Sequence, residues 1–255
     1  MYNSPEWMRA LFSPIFALPR QRPGNSVMNF FENYRHIRER IDERARAAGR
    51  KPEDIRIVAV SKTFPPETVQ AAIDQGIRLF GENRVQEAKS KIPALSGDFR
   101  FHLVGHLQSN KARDAVGLFD LIHSIDKAST ARRVGDEALR AGKTQAVLVQ
   151  VNTSAEDTKS GIDPDGAFEL CREAAGMPGI ELSGLMTIGP LEGDEEAVRA
   201  SFALLRGLRR DIAGRLGMKL PELSMGMSGD YLIAVDEGAT LVRIGSAIFG
   251  QRSEG

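Results

Sequence analysis

Eight short runs of apolar residues, each followed by an amphipathic stretch, constrain this 255-residue chain more than any other feature. The runs are Ile57–Val60, Ile77–Phe80, Phe101–Val104, Leu121–His123, Ala146–Val151, Leu182–Ile188, Glu222–Ser224 and Leu241–Ile244. Helical patterns separate them, among them Glu67–Asp74, Asn83–Lys91, Ala128–Ala141, Asp165–Ala175 and Glu195–Leu216. A further helix precedes the first run, where Phe30, Tyr34, Ile37, Ile41, Ala45 and Ala48 recur at helical spacing until Gly49 stops the pattern. The apolar runs are continuous rather than alternating, as in parallel strands buried on both faces. Eight β-α units in about 225 residues predict an α/β fold, a single-domain (β/α)8 TIM barrel, with a doubly wound open sheet as the alternative.

Residues 1–27 do not share this pattern. They contain four prolines, Pro5, Pro14, Pro19 and Pro23, and then Gly24, which deny any useful helix. A secretory signal would need a small-residue cleavage site after the patch Ala10–Leu18, and none stands out. A transit peptide agrees with Glu6 being the only acid. The simpler expectation is an extension outside the fold, ahead of a domain spanning 28–252, with Met28 as a natural first residue. The 34 basic and 34 acidic side chains cancel, which argues against a nucleic-acid partner. No stretch approaches 18 apolar residues, so no membrane span is expected. The single cysteine, Cys171, excludes a disulfide framework and points to a reducing, cytoplasmic setting. It shares an apolar helix face with Phe168 and Ala174, a core position.

In a barrel, chemistry collects on the loops that leave the C-terminal ends of the strands, which confines the search to eight segments. Of nine lysines, only Lys62 stands directly at the exit of an apolar run, in Ser61-Lys62-Thr63. A lysine in a desolvated barrel mouth supplies the neutral amine that a Schiff base requires; a solvated surface lysine is the alternative. The eighth run leads into Gly245-Ser246 and the seventh into Ser224-Met225-Gly226-Met227-Ser228-Gly229. Each alone reads as an ordinary turn. Side by side they form a phosphate cup where barrels commonly place one. Arg243 lies within the eighth run and, by strand alternation, faces the same side as Leu241, toward the mouth. It would meet either a buried carboxylate or a ligand's ring nitrogen.

The second run leaves through Gly81-Glu82-Asn83-Arg84. The third carries His102 and His106, but no third ligand at a recognisable spacing joins them, so no metal is expected and a packed histidine is the better reading. Ser109 or Asn110 is placed to cap the next helix. Lys159, in the polar loop after the fifth run, is a second candidate lysine.

Seven collinear stretches then carry a resemblance. They are Ala59-Val60-Ser61-Lys62-Thr63, Phe80-Gly81-Glu82-Asn83, Phe101 through Lys111, Lys159-Ser160-Gly161, Gly184-Leu185-Met186, Leu223 through Ser228, and Val242 through Gly250. In this order, over about residues 29–252, the chain resembles the pyridoxal-phosphate homeostasis protein family, whose barrel is like the N-terminal domain of alanine racemase. The resemblance implies that Lys62 forms a Schiff base, the internal aldimine, with pyridoxal 5'-phosphate (PLP). It implies that Arg243 meets the pyridine nitrogen and that Ser228, Gly245 and Ser246 contact the phosphate, with Ser224 a further candidate and Asn83 a neighbour of the ring. Ser246 stands where many relatives have threonine, which keeps a backbone N–H and a hydroxyl.

The implied role is a cofactor carrier that buffers PLP or transfers it, with PLP-dependent apoenzymes as recipients. An arginine cannot accept a proton, so it leaves the ring nitrogen unprotonated and a poor electron sink, and turnover is not expected. A PLP-dependent amino-acid racemase is the alternative. It needs a second base, usually a tyrosine from a C-terminal β domain that is not expected here, since the chain stops at Gly255; Tyr231 is the one candidate near the barrel. A Schiff-base aldolase would not need Arg243. Zero net charge and the missing swapping domain favour a monomer over a dimer.

Overall fold

The computed structural model describes residues 30–154, 160–190 and 193–250, whose parallel strands pair in chain order until the eighth meets the first. The strands are β1 (Arg56–Val60), β2 (Leu79–Glu82), β3 (Arg100–Leu103), β4 (Leu121–Ile125), β5 (Gln145–Gln150), β6 (Ile180–Met186), β7 (Glu222–Ser224) and β8 (Leu241–Ile244). Closure runs through the register Ile57 to Val242 and Ala59 to Ile244, which excludes the open sheet. Around the barrel lie α1 (Phe30–Ala47), α2 (Pro66–Asp74), α3 (Val85–Lys91), α4 (Ala112–Leu118), α5 (Ala128–Arg140), α6 (Ala167–Ala175), α7 (Glu195–Leu216), α8 (Tyr231–Asp236) and α9 (Ser246–Phe249).

The continuous apolar runs follow from burial on two sides. Alternate residues Val58, Val60, Val104, Leu121, Leu148, Met186 and Leu241 pack together in the barrel interior. Their neighbours Ile57, Ala59, Phe80, Phe101, Val147 and Val242 join the larger core beneath the helices. Each of these side chains larger than Ala59, fully buried, contributes roughly 1.5–3 kcal/mol. Helix α7 shows why its ends were legible: Asp194 Oδ1 accepts the Ala197 N–H at 2.9 Å, and Gly217 ends the helix at φ 63°. Helix α1 packs on α8 and α9, with the Phe30 and Phe249 rings 5.5 Å apart.

Two expectations need correction. Strand β2 starts at Leu79, not Ile77: after Gly76, at φ 103°, the Ile77 N–H donates back to Ala72 O at 3.0 Å. Ile77 therefore seals the end of α2, and its apolarity serves that contact rather than a strand. Neither Ser109 nor Asn110 caps α4 through its side chain; they sit with Lys111 in a 3-10 turn, and Lys111 occupies the cap position. Among the described residues no helix is long and apolar enough to cross a membrane. The extension 1–27, Lys159 and the end of the expected domain at 251–252 lie outside the described residues.

Candidate active site

A cavity of about 920 Å³ opens at the C-terminal ends of the strands, and Lys62, Asn83, Ser228, Arg243, Gly245 and Ser246 all line it. Lys62 follows β1 on the inward side, continuing the alternation Val58, Val60, Lys62. It is half-buried rather than fully sealed. The Phe64 N–H donates to Ser61 O at 3.1 Å, which closes a turn with Lys62 and Thr63 at its corners. Thr63 holds φ 69°, a left-handed conformation that β-branched residues rarely adopt.

That turn is fastened from below. Ser61 faces outward, and its hydroxyl donates to Glu82 Oε1 at 2.7 Å. Lys91, only 3% exposed, donates from Nζ to Glu82 Oε1 at 2.5 Å, to Ser61 O at 2.9 Å and to Glu87 Oε1 at 3.2 Å. Glu87 in turn accepts the Thr63 N–H. Burial pushes the Glu82 carboxyl up from its ordinary pKa, while the Lys91 ammonium and the Ser61 hydroxyl hold it down.

Arg243 reaches the cavity from β8. It is 5% exposed and has no carboxylate in contact among the described residues: Nη1 donates to Ser224 Oγ at 2.7 Å and Nη2 to Thr187 O at 2.8 Å. Burial lowers its pKa to about 10, with Asp230 opposing the shift at a distance. A guanidinium has five N–H groups, so three have no partner among the described residues. The barrel thus buries a cation whose remaining donors border the cavity.

The opposite wall is built from two loops. Gly226, at φ 89°, could carry no side chain, because a Cβ would meet the Ala234 methyl at 2.5 Å. After it, the Met227 N–H donates to Asp230 Oδ1 at 2.5 Å and the Asp230 N–H returns to Met227 O at 3.1 Å. This closed turn leaves the Ser228 and Gly229 N–H groups without partners among the described residues. The Ser246 hydroxyl donates to Ser228 Oγ at 3.3 Å, and the Ser246 N–H, at the start of α9, has no intrahelical acceptor. Asn83 lies on the neighbouring wall against Gly105, where a Cβ would come within 2.2 Å of Asn83 O.

Ser224 departs from expectation. It is fully buried and absent from the cavity wall: β7 turns it into the barrel interior, where Arg243 covers it. Tyr231 lies in α8 on the outer core, with the Arg40 guanidinium 5.6 Å above its ring. Neither Tyr231 nor Tyr34 lines the cavity. His102 and His106 do not meet. His106 is on the cavity wall, 3.5 Å from Asp126, whereas His102 is buried at 3.0 Å from His123. Among the described residues no group of three or more potential ligands could hold a metal ion. Cys171 is buried in the core, its thiol pushed up to about 12 by desolvation.

Sequence reasoning missed Lys91, Thr187 and His123. Lys91 sits where a helix pattern normally ends in a solvated lysine, so nothing local marks it as buried. His123 left a usable sign, a histidine inside an apolar run.

A family model described as the alanine racemase N-terminal domain matches residues 32–253. The pyridoxal phosphate homeostasis protein of Aquifex aeolicus is 39% identical over 226 residues, which cover 88% of this chain and 99% of that protein. The protein of the same description from Escherichia coli K12 is 41% identical over 228 residues, covering 86% and 95%. Among solved structures, PipY of Synechococcus elongatus PCC7942 with PLP bound aligns with a TM-score of 0.73 at 37% identity, covering 82% of this chain and 100% of that one.

Proposed function

The chain belongs to the pyridoxal phosphate homeostasis protein family, and on that premise we propose that it binds pyridoxal 5'-phosphate on Lys62 and buffers or transfers the cofactor in the cytoplasm. The observation that carries the reading is Arg243, a buried guanidinium that, among the described residues, meets no carboxylate and has three N–H groups unclaimed, and whose side chain lines the cavity that Lys62 also lines. One of those donors suits a pyridine nitrogen, which can only accept. Ser228, Gly229, Gly245 and Ser246 border the same cavity, and the hydroxyls and N–H groups of Ser228 and Ser246 suit a phosphate. Asn83 lies beside the space left for the ring. When bound, the cofactor supplies an aldehyde, with which the Lys62 amine condenses reversibly to a Schiff base with loss of one water.

The chain's own residues then act as holders. Lys62 is set in position by the Thr63 turn and the Lys91 bonds beneath it. Arg243 can only donate, so it would fix the ring nitrogen as an acceptor and withhold the protonated ring that carbanion chemistry uses. A monomer handing the cofactor to PLP-dependent apoenzymes completes the proposal. The test is an absorption spectrum of the purified, PLP-loaded protein before and after borohydride, followed by peptide mapping. The label is expected on Lys62; a label mainly on Lys111 or Lys159 would overturn the assignment.

A further inference from the structure

The barrel interior contains a line of polar side chains that an aliphatic core has no need of. It runs from Arg243 through Ser224 and His123 to His102, each no more than 5% exposed. Arg243 Nη1 is 2.7 Å from Ser224 Oγ, His123 Nδ1 is 2.9 Å from that same oxygen, and His123 Nε2 is 3.0 Å from His102 Nδ1.

Donor accounting gives this line one direction. A guanidinium cannot accept, so Ser224 Oγ receives Arg243. The Ser224 proton then needs an acceptor, and His123 Nδ1 is the one partner left to it among the described residues. His123 must therefore be bare at Nδ1 and carry its proton on Nε2, from which it donates to His102 Nδ1. The reverse tautomer would aim two donors at Ser224 and leave its hydroxyl proton buried without a partner, which native interiors avoid. Burial and nearby arginines hold both imidazoles well below their ordinary pKa, in agreement with two neutral rings.

We propose that His123 is a positioning residue for Arg243: its neutral imidazole, braced by His102, accepts a hydrogen bond from the Ser224 hydroxyl and thereby turns the Ser224 oxygen toward the guanidinium. The inference rests on the reading that Arg243 faces the ring nitrogen of PLP. A side chain that keeps only the Nδ1 acceptor should preserve the function, and one that keeps only the His102 contact should not. Asparagine places its amide near Nδ1; glutamine places its own near Nε2.

The full-length protein, its H123N and H123Q variants, and PLP itself make the test. In the wild type at neutral pH, histidine-selective nitrogen NMR should show His123 and His102 neutral and protonated at Nε2. An Nδ1-protonated or charged His123 would overturn the proposal, whether or not either variant folds. H123Q should bind PLP about ten- to a hundredfold more weakly and shift the visible band of the bound cofactor, because one charge-assisted contact loses its support. H123N should stay within about threefold of wild type. Equal binding and identical spectra for H123Q and wild type, or H123N as weak as H123Q, would also overturn it. Failure of the wild type to take a borohydride label on Lys62 would instead defeat the functional reading, and the tautomer measurement does not depend on that label, so the two failures are distinguishable.

Discussion

Replacing Thr63 by glycine and, separately, by alanine tests whether the turn that carries Lys62 is under backbone strain. Thr63 has φ 69° and an exposed side chain, so little burial is lost in either variant. Both variants lose the same hydroxyl bond to Lys62 O, at 2.5 Å, and that loss cancels in the comparison. What remains is the backbone. A residue with a Cβ in the left-handed region carries about 1–2 kcal/mol that glycine does not. Glycine gives back about 0.5–1 kcal/mol through the greater freedom of its unfolded chain. The difference leaves T63G more stable than T63A by about 0.5–1 kcal/mol, or about 1–4 °C in Tm for a chain of this size. At an ordinary right-handed or extended position the order is reversed. Thermal melts of the two proteins without cofactor read the sign directly. T63A melting above T63G would refute the strained turn, and with it the idea that local strain holds Lys62 in the cavity. T63G should also retain PLP less well than wild type, since a relaxed turn no longer restricts where the amine points.

Four further outcomes are expected. Lys91→Met strips Glu82 of its buried partner and should cost about 3–5 kcal/mol by urea unfolding, far more than any surface lysine. Ser228→Ala with Ser246→Ala should speed PLP loss in dialysis while leaving Lys62 reactive, each hydroxyl bond to a phosphate being worth about 1.5–3 kcal/mol. Stability should decline with acid earlier than carboxylates alone would cause. The folded pKa values of His102 (about 3) and His123 are depressed below 6.5, so the unfolded chain binds protons first. Their contribution is whole above about pH 6.5 and falls by about 1.4 kcal/mol per pH unit for each histidine below it; urea midpoints at pH 7 and 5.5 that coincide would refute this. With PLP bound, α-deuterium exchange of single-enantiomer amino acids should stay near the rate of free cofactor. Exchange at about 1 s⁻¹ or faster, abolished by Lys62→Ala, would restore the racemase alternative.

The parts of the site that were legible in the sequence are those set by strand alternation. Lys62 and Arg243 fall on the inward phase of β1 and β8, and that phase can be counted from the apolar residues before them. Gly226, Ser228, Gly245 and Ser246 were legible because tight turns demand small residues at fixed places. Ser224 was misplaced for the opposite reason: it obeys the same alternation, but a side chain so short stops below the cavity, where Arg243 overlies it. Lys91 carries no local mark of its role, and the apolar run around His123 marks that residue as buried without naming its partner. Their roles depend on partners 30 and 101 residues away along the chain, Ser61 and Ser224, which only closure of the barrel brings near.

The two buried polar networks divide the work by layer, and the division bears on why Lys62 and Arg243 are both long side chains. Strand pairing sets Val58 beside Arg243, so Lys62 starts four residues further toward the mouth. Four extended residues rise at most about 13 Å. On the proposed reading, short side chains across that gap could not hold opposite ends of one pyridine ring, whereas a lysine reaching down and an arginine reaching up could. Long side chains are also the ones with the most rotamer freedom to lose, up to about 2 kcal/mol each. Each is therefore anchored at its root from a different layer. Lys62 is set by the outer layer, where Ser61, Glu82 and Lys91 pin the turn between barrel and helices. Arg243 is set by the inner layer, where Ser224 and Thr187 take two of its donors. The wall proposed for the phosphate has no such foundation in the strands and rests on the loops around Ser228 and Ser246. On the proposed carrier reading, an arginine held on a strand, a lysine on a pinned turn and a phosphate end formed by loops make a consistent arrangement.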